Sequence, residues 1–210
     1  MRKFKHNKTQ IGYRLVIKSV KEGSKVLDLG CGDGELLNLL QQKKQVKGYG
    51  VEISEKGVSM CVEKGLYCFQ GDIDEGLKDY AANSFDYVIL NQTIQNTKMP
   101  HFVLKEVMRV GKKVIISFPN FGYIHARMQI LLTGKMPVTA NCPYQWYDSP
   151  NIHLLTIKDF QSLCKKQNYI IEEQLHFSYK NNSEIKIKHI LPNFFAQYGF
   201  FILDAEQHID

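Results

Sequence analysis

Short, nearly unbroken apolar runs recur along the chain, separated by stretches whose apolar residues fall at helical spacing. Runs of five or six apolar residues suit strands covered on both faces. Strands that alternate with amphipathic helices build βαβ units around a mostly parallel sheet. Residues 25–29 (KVLDL), 46–53, 66–69, 85–90 (FDYVIL) and 113–118 (KVIISF) read as five such strands. Helices are predicted from 35 to 40 onward, over 55–64 and over 101–109. Ile11, Leu15, Val16 and Val20 add a first helix within about residues 1–22.

Past residue 118 the rhythm changes. Residues 121–132 read as a helix ended by Thr133-Gly134, and 136–151 hold three of the six prolines and the only tryptophan. So many aromatics argue for an ordered insertion, about 121–153, rather than a linker. Residues 156–167 read as a helix, 169–179 as a long strand, Asn181-Asn182-Ser183 as a turn and 201–203 as an edge strand. The expectation is one α/β domain over residues 1–210, doubly wound and mostly parallel, flanked by helices, with antiparallel edge strands at the C-terminal end.

Composition changes this picture little: 44% hydrophobic, 11% aromatic and 23% charged residues are ordinary for a globular chain, and no apolar run is long enough to span a membrane. With no secretory signal, a cytoplasmic location is expected. The net charge of +6 is concentrated at the start: residues 1–25 hold eight Lys or Arg and one Glu. A basic arm can be a nucleic-acid footprint, but with only Tyr13 as an interleaved aromatic it reads as a solvated helix face. No nucleic-acid partner is expected; duplex DNA binding should be weak and salt-sensitive. Five dispersed cysteines without a CxxC pair, and seven dispersed histidines, predict reduced thiols and no metal.

The candidate chemistry lies where the first strand turns into a helix, in Asp28-Leu29-Gly30-Cys31-Gly32-Asp33-Gly34. Glycines there permit a tight turn and close ligand approach, and the helix N-terminus behind offers unpaired N–H groups. The dinucleotide fingerprint would put its third glycine at position 35, which is Glu35. Glycine stands instead at 34, and Asp28 closes the strand. This D-x-G-x-G-x-G form resembles the first motif of class I S-adenosylmethionine-dependent methyltransferases. Glu52, ending the second strand, can accept both hydroxyls of a ribose. The resemblance implies that Asp72 meets an adenine amino group while Ile73 packs its ring. Gly30, Cys31, Gly32, Gly34, Ile53 and Asn91 complete the set expected to hold S-adenosylmethionine or S-adenosylhomocysteine.

Asn91-Gln92-Thr93-Ile94 lacks the Pro-Pro-aromatic string of amino-methylating nucleic-acid enzymes. A catalytic residue is not assigned; His101, His125 and His153 are candidate bases only. Longer strings are more specific: Asn91-Gln92-Thr93-Ile94-Gln95, Arg109-Val110-Gly111-Lys112, Ser117-Phe118-Pro119-Asn120-Phe121-Gly122, Met136-Pro137-Val138-Thr139 and the stretch from Pro143 to His153. From about Gly23 to about Leu203 these resemble the MetW family of methionine biosynthesis proteins. The resemblance implies a methyltransferase-like protein that supports homoserine O-acylation with a homoserine acyltransferase partner. The alternative is a genuine small-molecule methyltransferase. Asn120, Tyr144, Trp146, Tyr147 and His153 are the candidate substrate or partner residues. The aromatic segment can be a lid, a partner surface or core; an exposed Trp146 would favour the partner surface.

Overall fold

In the computed structural model, which describes residues 12–180 and 184–206, eight strands form one sheet. The first five are β1 (Lys25–Leu29), β2 (Lys47–Glu52), β3 (Tyr67–Gln70), β4 (Phe85–Asn91) and β5 (Gly111–Pro119). They pair parallel throughout. Between them run α2 (Glu35–Lys44), α3 (Glu55–Glu63) and α4 (Pro100–Val110), after a short α1 (Tyr13–Ser19). The expected βαβ rhythm is present. The predicted turn at Asn181-Asn182-Ser183, and the first eleven residues of the basic stretch, lie outside the described residues.

Alternation along the strands splits the core between the two faces. Leu27 and Leu29 of β1, Val88 and Leu90 of β4, and Val114, Ile116 and Phe118 of β5 pack on α4, in which Val103, Leu104 and Val107 are buried. The opposite parity, Val26, Tyr87, Ile89 and Ile115, packs on Val16 of α1 and on Leu36, Leu37 and Leu40 of α2. Asp28 has this second parity, so β1 carries a carboxylate into an apolar layer.

β6 (Ile170–Lys180), β7 (Glu184–Ile187) and β8 (Tyr198–Asp204) are antiparallel additions, as expected. Residues 201–203, however, are not at an edge. β8 lies between β5 and β6, with Tyr198 through Leu203 all buried. The continuous apolar run Tyr198–Leu203 requires cover on both faces and pairing on both sides, which an edge cannot give. The edges are β3 and β7.

After β5 comes α5 (Ile124–Thr133), capped by Gly134 in the left-handed region, then irregular chain to α6 (Ile157–Lys166) and the single-turn α7 (Pro192–Phe195). Asn120 fastens this excursion to the sheet. Its Nδ2 donates to the carbonyls of Asn193 and Ala196, and its Oδ1 accepts from the N–H groups of Gly122 and Ile157. The N-terminus of α6 is a capping box, with Thr156 and Asp159 satisfying each other's backbone N–H groups.

Candidate cofactor cleft

The chain leaves β1 toward β2 on one side and returns to β4 on the other. That reversal opens a crevice at the carboxyl ends of the parallel strands, the general ligand position in such sheets. A cleft of about 290 Å³ lies there, lined among others by Gly30 after β1, Glu52 and Ile53 after β2, Asp72 and Ile73 after β3, and Asn91 at the end of β4. Six residues singled out in the sequence therefore share one cavity.

Glu52 organises it. Its Oε2 accepts from the Gly32 N–H and its Oε1 from the Ser54 N–H, both at 2.9 Å. Each oxygen keeps a second lone pair, so the carboxylate could accept a vicinal diol without losing its anchors. The Cβ that Gly57 lacks would stand 2.7 Å from Glu52 Cγ and 2.8 Å from the Gly32 carbonyl. Glycine at the first turn of α3 is what lets this carboxylate reach the loop.

The loop glycines have different jobs. Gly32, at φ +59°, has nothing within 4 Å of where a Cβ would stand, so the space beside it is open. At Gly34, φ +73°, a Cβ would fall 2.4 Å from Leu66 Cδ1 and 2.8 Å from Cys61 Sγ. That glycine serves packing. Asp28, Cys31, Gly32 and Gly34 are not among the residues lining the cleft; Asp28 is buried beneath the loop, and Cys31 and Gly34 are buried within it. Asp28 is 3% exposed, and burial, reinforced by the charge of Glu52, pushes its carboxyl up to about 8. A cationic ligand placed beside this carboxyl would lower its pKa again and favour release of the proton to solvent.

Asp72 accepts the Asp74 N–H through Oδ1, and its Oδ2 lies 3.7 Å from Lys98 Nζ. Ile53 is 62% exposed at the rim, an apolar surface available to a flat ring. Asn91 Oδ1 accepts from Ser117 Oγ at 2.6 Å, and Gln92 Nε2 donates to the same hydroxyl. Gln92 has φ +59°, the one non-glycine residue of the lining with positive φ. Such strain gathers at ligand sites. Gln92, Thr93, Asn96, Thr97 and Lys98 were not assigned to the site from the sequence, although the first two belong to the string that carries the family resemblance. They belong to or flank a single 3₁₀ turn, Ile94–Asn96, too short to leave a periodic signal.

The histidines stand elsewhere. His101, His125 and His153 are exposed; His125 packs on Tyr123, and His153 Nε2 lies 3.4 Å from the Lys98 carbonyl. Ile152 and His153 donate their backbone N–H groups to the Gln95 carbonyl, which ties the insertion to the cleft wall. From that anchor the aromatic segment faces solvent: Tyr144 is 46% exposed, Tyr147 68% and Trp146 75%. Asn120 is fully buried with its amide committed to backbone partners. Among the described residues no helix is long and apolar enough to cross a membrane.

Residues 10–203 match the family model described as methionine biosynthesis protein MetW. The bifunctional methionine biosynthesis protein MetXA/MetW of Rhodopirellula baltica is 31% identical over 180 residues, covering 81% of this chain and 29% of that protein. The chain thus spans less than a third of that relative. An S-adenosylmethionine-dependent methyltransferase of Thermotoga maritima superposes with a TM-score of 0.66 at 17% identity, over 96% of this chain and 94% of the other. The TrmK protein of M. capricolum, solved with its natural cofactor product S-adenosylhomocysteine, superposes at 0.57 and 16% identity, over 92% and 67%. These structures share the fold of the present sheet, while the sequence match reaches nearly end to end, and on that match the chain belongs to the MetW family of methionine biosynthesis proteins.

Proposed function

We propose that this protein binds S-adenosylmethionine or S-adenosylhomocysteine in the cleft and acts as an accessory subunit to a homoserine acyltransferase. The residues present fit such a ligand. Glu52 would take the ribose hydroxyls, Asp72 the adenine amino group, Ile53 and Ile73 the ring faces, Gly30 and Gly32 the close approach, and Asp28 the ammonium from behind the loop. Cys31, Gly34 and Asn91 hold the walls in place.

The observation that carries the accessory role is the exposure of Trp146, with Tyr144 and Tyr147 beside it. A lid over the sulfonium or a core residue would be covered; an aromatic, proline-stiffened surface is what a preorganised interface presents. The joined MetXA/MetW relative supports the choice of partner, since we read its MetXA part as the acyltransferase. The second reading, a genuine small-molecule methyltransferase, rests on the cleft itself. None of the three candidate histidines lines the cavity, so that reading has no histidine base at the cleft.

Labelled cofactor titrated into the protein, with and without the acyltransferase and homoserine, tests both. The expected result is saturable binding, co-elution with the acyltransferase, a changed acylation rate, and no methyl transfer to homoserine. Trp146→Ala should weaken the complex by about 2 kcal/mol or more, the range of an interface hot spot. Turnover of S-adenosylmethionine on a small acceptor, without co-elution, overturns the accessory role and favours the enzyme.

A further inference from the structure

Three thiols that the sequence scatters meet behind the glycine loop. Cys31 follows β1, Cys61 lies on α3 and Cys68 on β3. Cys31 Sγ stands 3.8 Å from Cys61 Sγ and 3.6 Å from Cys68 Sγ, and the three sulfurs all lie within 4.8 Å of one another. The space is built for them. A Cβ on Gly50 would fall 2.6 Å from Cys31 Sγ, and one on Gly34 2.8 Å from Cys61 Sγ. Cys61 is fully buried and also reaches the Gly32 carbonyl at 3.5 Å, Cys31 is 7% exposed, and Cys68 is half-buried, the open side of the group.

The separations suit a metal. With a Zn–S distance of about 2.3 Å, three sulfurs on one face of a tetrahedron stand roughly 3.8 Å apart. The two measured edges are at this value without any rearrangement of the backbone, and the third needs at most a small inward rotation. Oxygen-loving ions are disfavoured by an all-sulfur set, whereas zinc and its softer congeners favour it.

We propose that Cys31, Cys61 and Cys68 form a binding site for one thiophilic divalent metal ion of the zinc type, with the fourth position open to solvent past Cys68. The ion would bind as the three S–H protons leave to solvent, giving a metal–trithiolate of net charge −1 from a divalent cation and three thiolates. Burial holds the Cys31 and Cys61 thiols above the ordinary thiol range, so displacing the protons needs the metal's own Lewis acidity. Lys64, whose charge favours the Cys61 thiolate, eases the negative charge. Because Cys31 sits between Gly30 and Gly32, a bound ion would fasten the loop to α3 and β3. The proposal is independent of the cofactor assignment.

The test is a titration of the full chain, reduced and washed with chelator under anaerobic conditions, with Cd²⁺ as the spectroscopic probe and Zn²⁺ in competition with a chromophoric chelator. The expected result is a thiolate-to-cadmium charge-transfer band that saturates at one equivalent. Cys68→Ser changes a half-exposed side chain, and Cys61→Ala a buried one whose folding a thermal melt verifies. Each should weaken binding beyond the roughly 10–100-fold that loss of an outer-shell partner costs. Cys164→Ser, remote from the group, should leave it unchanged. Absence of the band at stoichiometric Cd²⁺, or wild-type affinity in Cys68→Ser, overturns the site. So does a Cys31–Cys68 disulfide under mild oxidation in a protein that takes up no metal, which would make the group a redox pair.

Discussion

Asp28→Asn should stabilise the ligand-free protein, by an amount that grows with pH. The folded carboxyl keeps its proton up to about 8, whereas in the unfolded chain it releases it near 3.8. Between these values the folded state binds more protons than the unfolded one, so rising pH lowers stability; above the folded value the penalty is constant. Each pH unit in the window is worth about 1.4 kcal/mol, so a penalty of roughly 4 kcal/mol accumulates between pH 5 and pH 8. Asparagine has nearly the shape of the protonated acid and carries no such penalty. Urea unfolding of wild type and variant, at several pH values from 5 to 8, isolates this one group because all other titrations cancel in the difference. The variant's advantage should be small at pH 5 and reach several kcal/mol at pH 8, or about 10 °C in Tm for a chain of this size. A difference that does not change with pH would falsify the reasoning, since Asp28 would then titrate alike in both states. The same substitution should weaken cofactor binding. In wild type below pH 8, binding should release a proton, read as a calorimetric enthalpy that varies with the buffer's ionisation heat.

Glu52→Ala should lose roughly 10- to 150-fold in cofactor affinity, the worth of charge-assisted hydrogen bonds at about 1.5–3 kcal/mol, and unchanged calorimetric affinity would remove it from the site. Gly32→Val should abolish cofactor binding, since its side chain enters open space, and at φ +59° it also carries backbone strain of about 1–2 kcal/mol; Gly34→Ala should lower the unfolding midpoint further, having Leu66 and Cys61 in its way besides a positive φ. Asn120→Ala leaves three buried backbone groups and one half-buried one without their partner and should cost about 2–4 kcal/mol in chemical denaturation; a loss under 1 kcal/mol would show that those groups find other partners.

The strands from β1 to β5 and the helices between them were legible in the sequence because parallel βα units are local. Each strand is an apolar run, each helix has its own periodic face, and handed crossovers leave few ways to connect them. That Glu52 and Asp72 share one cavity was legible for the same reason, since they stand at or just past the ends of strands and all the parallel strands end on one side of the sheet, whereas Asp28 lies outside the cleft lining. Pairing across long sequence distance was not. β8 takes its place between β5 and β6 because Tyr198–Leu203 needs neighbours on both sides, and nothing local names those neighbours. The cleft wall at Gln92–Lys98 was hidden in a turn too short for periodicity. Cys31, Cys61 and Cys68, 30 and 7 residues apart in sequence, meet only when α3 and β3 fold back on the glycine loop. Sequence determined the elements and the residues that end them; tertiary structure decided which side chains share a cavity, because proximity between distant residues depends on the packing of the whole sheet.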